Sequence, residues 1–315
     1  MSAAAFLTDG GIETTLLHDD GLDLPYFAAF PLLVRRAGRD ALRRYFDSYA
    51  ALAASFGTGV VLETPTWRAS REWARLVGYD DGALARANRE AVALVEEVRP
   101  RHETDACPVV ISGCIGPRSD GYTPLEMMTA GEAADYHAAQ IATFADTRAD
   151  LVTAMTMTYP AEAVGITRAA REAGMPVVIS FTVETDGSLP TGESLPESIA
   201  LVDEASGGYP AYYMVNCAHP THFAHVLDRG DVPAGRLRGV RANASVLSRD
   251  ELDEAPELDR GDPADLAARY GELRRRHPSL TVFGGCCGTD TAHLGAIADA
   301  VGAQPRPVGM STAGH

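Results

Sequence analysis

The chain has 315 residues, of which 43 are acidic and 27 basic, giving a formal charge of −16 at pH 7. That balance excludes nucleic acid and anionic membrane surfaces as main partners, because both attract basic proteins. A hydrophobic share of 46% against 22% charged residues is ordinary for a globular chain and allows a large buried core.

No run of about 18 apolar residues predicts a membrane span. The N-terminus lacks the basic start and long apolar stretch of a secretory signal. Five cysteines over this length form no dense disulfide framework. A reducing cytoplasm is therefore the expected location, and cysteines at special positions there point to metal binding or catalysis.

Short apolar runs alternate with longer amphipathic stretches. Strands are expected at 6–8, 59–62, 109–112, 151–154, 177–181, 212–216, 237–241 and 280–283. Most are rich in β-branched or aromatic residues, and several are almost continuously apolar, as suits parallel strands covered on both faces. Helical spacing predicts helices at about 39–56, 82–103, 130–148, 161–173, 194–205, 221–228, 263–276 and 289–301. Pro196 and Pro263 fit first-turn positions, and Gly174 fits a helix C-cap.

Eight strand–helix units predict a single-domain (β/α)8 TIM barrel over 1–303, with 304–315 as a C-terminal tail. A doubly wound sheet is the alternative, but no Gly-x-Gly-x-x-Gly follows an early strand. The segment 248–262, with seven acidic residues, reads as a solvated loop before the seventh helix.

In such a barrel the active site lies at the C-terminal ends of the strands. That rule brings Cys217, after strand six, to the same mouth as Cys286 and Cys287, after strand eight, although about seventy residues separate them. Three thiolates suit zinc, and three protein ligands with an open fourth position form the pattern of a catalytic site. The glycines of Gly284-Gly285-Cys286-Cys287-Gly288 permit the tight turn this needs. The competing readings are a vicinal disulfide between Cys286 and Cys287, or simple packing of small thiols. Packing is the expectation for Cys107 and Cys114.

These residues carry a family resemblance. The matching elements are Asp9-Gly10-Gly11-Ile12-Glu13-Thr14, Gly113-Cys114-Ile115-Gly116-Pro117, Val178-Ile179-Ser180-Phe181-Thr182, Val215-Asn216-Cys217 and Gly284-Gly285-Cys286-Cys287-Gly288-Thr289. In their order, over nearly the whole chain, they resemble the zinc-dependent homocysteine S-methyltransferases. The resemblance implies a Zn2+ cofactor held by Cys217, Cys286 and Cys287, and a thiol acceptor entering as the fourth ligand. It implies a small-molecule thiol, most simply homocysteine giving methionine, and a small cationic methyl donor such as S-methylmethionine, S-adenosylmethionine or betaine. Asp9, Gly10 and Thr64 match family positions that hold the amino-acid end of homocysteine. Asn216 and Asn243 are expected to contact substrate or support its site. The sequence does not fix an oligomeric state, and a homo-oligomer is compatible with it.

One departure stands out. Where several relatives read Cys-Glu-Thr after strand four, this chain reads Ala154-Met155-Thr156. Met155 therefore stands where a carboxylate would meet the ammonium of homocysteine. Glu63, beside Thr64, is the expected substitute. The remaining alternatives are a different thiol or selenol acceptor, a metal-dependent hydrolase, and a noncatalytic zinc- or thiol-binding barrel. The aromatic group Trp67, Trp73 and Tyr79 is expected to line the donor site and attract a cation.

Overall fold

The computed structural model describes residues 5–303, so the expectation of a tail at 304–315 lies outside the described residues. Eight parallel strands close in sequence order into a barrel. They are β1 (Phe6–Thr8), β2 (Gly59–Glu63), β3 (Val109–Ile115), β4 (Leu151–Met157), β5 (Val177–Phe181), β6 (Tyr212–Asn216), β7 (Leu237–Ala242) and β8 (Val282–Gly285). The helices are α1 (Ile12–His18), α2 (Arg36–Phe56), α3 (Arg71–Leu76), α4 (Asp81–Glu96), α5 (Arg99–His102), α6 (Ala130–Ala145), α7 (Pro160–Glu172), α8 (Leu195–Ser206), α9 (Pro220–Asp228), α10 (Arg249–Glu254), α11 (Pro263–Arg276) and α12 (Thr291–Ala300). Two short 3-10 turns, Pro25–Phe27 and Phe30–Val34, precede α2.

Local chemistry explains the helix limits. Thr129 and Glu132 form a reciprocal capping box at α6, and Ser194 and Glu197 do the same at α8. Asp262 caps α11, with Pro263 in its first turn. Gly57 and Gly207 end α2 and α8 in the left-handed conformation. On α2, Leu42, Tyr45, Phe46, Tyr49 and Ala53 form one buried stripe facing the barrel.

The main core fills the layer between strands and helices. A smaller apolar group lies inside the barrel, where Cys114, Met155, Val178, Met214 and Val282 pack with Phe6 and Tyr212. All residues of β2 and β5 are buried, which accounts for their continuous apolar runs.

The helix expected at 82–103 is split into α4 and α5, α1 and α3 are added, several element ends shift, and three differences bear on the site. The strand expected at 280–283 lies at Val282–Gly285. Glycines are poor strand residues, but here a Cβ on Gly284 would strike the Thr8 side chain, and one on Gly285 would strike that of Thr289. Strand β4 runs on through Met157, with a register break between Ala154 and Met157. The third difference lies in 248–262, read as a loop, where Ser248 and Glu251 form a capping box that starts α10.

A Cβ at Gly113 on β3 would lie 2.7 Å from the ring of Phe144, which is fully buried and cannot move aside freely. Gly113→Ala is expected to lower stability by about 1–3 kcal/mol through overpacking. Chemical denaturation checks this, and an unchanged midpoint contradicts the packing described.

Candidate active site

The barrel mouth holds a cavity of about 540 Å³, within the range of small-molecule sites. Cys217, Cys286 and Cys287 all line it, and their sulfurs lie within 4.8 Å of one another. Cys217 and Cys286 are joined as a disulfide with Cα atoms 5.5 Å apart, and Cys287 is a free thiol. The vicinal Cys286–Cys287 bridge considered from sequence is thus not the one formed. Cys107 is buried in the main core, and Cys114 packs inside the barrel, as expected.

Backbone geometry aims Cys217 into the mouth. It has φ 53°, unusual for a residue with a side chain, and Thr156 near the end of β4 has φ 63°. Such conformations cost about 1–3 kcal/mol each and persist where surroundings hold them. Here Asn216 supplies the hold. Its Oδ1 accepts from Thr156 N at 2.9 Å and from Ser180 Oγ at 2.6 Å, while Nδ2 donates to Thr156 Oγ1 at 2.8 Å. Asn216 is fully buried and does not line the cavity. Of the two roles expected for Asn216, substrate contact or support of the site, its hydrogen bonding fits support, because its capacity goes into bracing two strand ends. Asn243 does line the cavity. Its Nδ2 donates to Cys217 O at 3.1 Å, and its Oδ1 is buried without a partner.

The donor set fits a soft metal ion. Burial, reinforced by the charge of Glu13, pushes the Cys287 thiol up to about 11. A bare thiol there is protonated at neutral pH, whereas a bound cation stabilises the thiolate. In its reduced form the group offers three sulfur ligands and a side open to the cavity.

Asp9, Gly10, Glu63 and Thr64 line the same cavity. The Thr64 hydroxyl is engaged with Thr66 Oγ1 at 2.7 Å and accepts from Cys114 N at 2.9 Å. Burial raises the carboxyl of Asp9 despite the adjacent Arg241, and Tyr45 hydroxyl approaches its Oδ2 at 3.4 Å. Burial also pushes Glu63 up to about 7, with Arg241 pulling the other way. Glu13, on the first turn of α1, is likewise pushed up to about 7 by burial.

Sequence reasoning missed Arg241 as a site residue. It projects from the end of β7, is buried, and joins the elements around it. Its Nη2 lies 2.8 Å from Asp9 Oδ1 and donates to Gly10 O at 3.2 Å, and its Nε donates to Gly285 O at 3.1 Å. Burial works against its charge, but Asp9 and Glu63 overcome this and hold it firmly protonated. The available signal was an arginine close to the C-terminal end of a strand, the end that faces the mouth, whereas Arg238 near the strand's start is exposed.

The aromatic expectation is corrected in part. Trp67 lines the cavity, but Trp73 and Tyr79 do not. The Arg68 guanidinium lies 4.2 Å from the Trp67 ring centre and 3.6 Å from that of Trp73, so it occupies faces that a donor would have used. Tyr79 packs edge-on against Phe30 instead, 5.0 Å away. The aromatics beside Trp67 in the lining are Phe27 and Tyr122, and Tyr122 carries Arg249 over its ring at 3.9 Å. Arg249 and residues after α10 also line the cavity, so the acidic segment is part of its wall rather than a remote solvated loop.

The sequence model of the homocysteine S-methyltransferase family matches residues 6–301. The chain belongs to the homocysteine S-methyltransferase family. It is accordingly a methyltransferase. Among solved structures it is similar to the homocysteine methyltransferase MmuM from Escherichia coli in its oxidized form, at 19% identity and TM-score 0.76, covering 94% of this chain and 95% of that one. The metallated form of MmuM gives 18% identity and TM-score 0.75, over 94% and 96% of the two chains. A methyltransferase from Methanosarcina mazei follows at 11% identity and TM-score 0.52, over 96% and 94%. At these identities the structural matches speak for the barrel alone. No curated protein matches the sequence. Among the described residues no helix is long and apolar enough to cross a membrane.

The raised carboxyl of Glu63 has a consequence for stability. Its folded value near 7 stands above the ordinary 4.5, so the folded chain keeps a proton that the unfolded chain has lost. Stability from this group is full below about 4.5 and is lost as pH rises through 7. Glu63→Gln is therefore expected to melt above the wild type at pH 8, with the gap closing toward pH 4.5. Thermal melts across this range check it, and a gap independent of pH contradicts it.

Proposed function

We propose that this methyltransferase moves a methyl group from a small cationic donor to the sulfur of homocysteine, with zinc held by Cys217, Cys286 and Cys287. The observation that carries this reading is the meeting of three sulfurs within 4.8 Å on the wall of a cavity that also holds Asp9, Glu63 and Thr64. Zinc bound there supplies a positive charge that keeps an incoming thiol ionised at neutral pH. Sulfur ligands without histidine or carboxylate favour this over water activation, which suits sites richer in nitrogen.

The protein's own groups account for binding and alignment. Seven carboxylates and three arginines line the cavity, so its wall favours a cationic donor over an anionic one. In the transfer, a thiolate lone pair forms the new S–CH3 bond while the donor heteroatom keeps the pair of the broken bond. The opposite charges of thiolate and donor cancel as the methyl moves. A cavity in the barrel mouth suits that change better than open water does. Holding sulfur, methyl and leaving group in line is the main contribution left to the chain.

Met155 packs against apolar neighbours inside the barrel and gives the substrate no charge. Glu63 is buried, lines the cavity from the neighbouring wall and has Arg241 as its charged neighbour, 4.0 Å away. This supports Glu63 as the partner of the substrate ammonium, and so favours homocysteine over a thiol without an amine. The small-molecule chemistry fits the expected cytoplasmic setting and requires neither nucleic acid nor membrane.

In reduced protein, Cys217→Ser is expected to lower zinc from one per chain to well below it, and to cut homocysteine methylation by at least about a hundredfold. Metal analysis and a methylation assay with S-methylmethionine, S-adenosylmethionine and betaine check this. Full zinc content with no methylation by the wild type contradicts the reading. Glu63→Gln is expected to raise KM for homocysteine about tenfold or more, and an unchanged KM removes Glu63 from the site.

A further inference from the structure

The cavity wall made by residues 245–260 is attached differently from the rest. Its helix α10 buries no residue, and among the described residues neither apolar core group takes a member from 243–265. The segment is pinned at its ends instead. Ala244 N donates to Cys287 O at 3.0 Å, His222 Nε2 meets Val246 O at 3.0 Å, and Ser245 Oγ donates to Asp259 Oδ2 at 2.5 Å. Gly261, at φ 53°, closes the neck, since a Cβ there would lie 2.1 Å from Ala244 O. A loop with its ends together and its middle outside the core opens at low cost.

One contact ties the middle of this loop to the opposite wall. The Arg249 guanidinium lies over the Tyr122 ring, 3.9 Å from its centre. Among the described residues, no other hydrogen bond, ion pair or ring contact joins 249–258 to residues outside the segment. Tyr122 itself stands on a fixed wall. Asp120 Oδ1 accepts from Tyr122 N at 2.9 Å, and Arg68 Nη2 donates to Asp120 Oδ2 at 3.4 Å. The Arg249 fork is otherwise held only by Asp253 on its own helix, at 3.0 Å through two nitrogens. The side chains of Arg249 and Asp253 are 37% and 58% exposed, whereas Arg68, which covers Trp67, is 7% exposed. Arg249 can therefore leave its ring, and Arg68 cannot.

We propose that Arg249 is a cation supplied by the chain itself, which holds the Tyr122 ring until the cation of the methyl donor takes its place. Arg249 then sets donor affinity, and 245–260 is a lid that the donor opens. This rests on the reading of a methyltransferase with a cationic donor given above, and adds how that donor is admitted. An exposed ion pair and an exposed cation–ring contact are each weak, so a donor cation desolvated at the same ring competes with them. Asp253 leaves with Arg249, so displacement strands neither charge.

The test measures binding of two cations, S-methylmethionine and betaine, to the reduced, zinc-loaded protein by calorimetry. Arg249→Gln is expected to bind the better of the two about two- to fivefold more tightly than the wild type, the share of a ring contact at an exposed site. Arg249→Lys keeps the charge but stacks poorly, so it is expected to tighten binding as well. In a Tyr122→Leu background the ring is gone, and Arg249→Gln is expected to leave Kd unchanged. Backbone amides of 249–254 are expected to exchange hydrogen faster with the cation bound, and equally fast without it in Arg249→Gln.

A gain in Arg249→Gln that Arg249→Lys lacks, or that survives Tyr122→Leu, is what simple charge repulsion gives, and it overturns the inference. Where Tyr122→Leu loses its zinc, the lysine comparison decides alone. Slower exchange of 249–254 with the cation bound overturns it too, as does failure of every variant to bind either cation. Equal Kd in all variants, with homocysteine methylated, defeats this inference alone. The expected pattern of Kd without methylation by any variant defeats the proposed function and leaves the lid standing.

Discussion

Everything at the barrel mouth depends on how closely β8 lies against β1. Gly284 and Gly285 pair with Arg241 and Ala242 of β7 on one side, while β1 packs on the other. Their missing side chains leave room for Thr8 and Thr289. The closure is then tied by short polar contacts. Gly285 N donates to Asp9 O at 3.1 Å, Gly11 N to Thr289 O at 3.2 Å, and Thr289 Oγ1 to Cys286 O at 2.7 Å. This places Cys286 and Cys287 opposite Cys217 and sets Asp9 beside Arg241. A larger residue at either glycine would move β8 outward and separate both the thiols and the charges. The glycines are thus a requirement of geometry on which both halves of the site rest.

The mouth also shows how a barrel can hold charge in its interior. An apolar group of Cys114, Met155, Val178, Met214 and Val282 packs within the barrel, and Asp9, Glu63 and Arg241 are buried in the same enclosure. Taking charges out of water is costly, and for Glu63 and Asp9 burial outweighs the attraction of Arg241. The cluster therefore trades stability for a polar surface that only a suitable ligand completes. The positive φ values at Cys217 and Thr156 are of the same kind. They are held by Asn216, a residue that touches neither the cavity nor the sulfurs in its hydrogen bonding, yet fixes the direction of both strand ends.

The barrel was legible because its strands are apolar runs and its helices carry strong periodicity and caps. β5 and β6 fall at the expected residues, and α11 does too. The three cysteines were legible as a group because strand ends in this architecture share one face. What periodicity could not show was direction. Whether Asn216 points to the cavity or across to Thr156 depends on a left-handed residue at 156, which is not a glycine and so leaves no mark in the sequence. Arg241 looked like a strand end, and its role appears only when Asp9, more than two hundred residues away, is brought beside it. Trp73 shares a sequence neighbourhood with Trp67, but Arg68 stacks between them and the cavity keeps only Trp67. The acidic segment read as solvated surface because charge runs usually are, and its position over the mouth follows from the β7–α11 connection rather than from composition.

The central claim is that Cys217, Cys286 and Cys287 hold zinc and that the acceptor sulfur joins them. X-ray absorption at the zinc edge, on reduced protein with and without homocysteine, measures this directly. The account predicts three sulfur neighbours at about 2.3 Å without the thiol and four with it. A shell dominated by nitrogen or oxygen, or a sulfur count that homocysteine leaves unchanged, would contradict it.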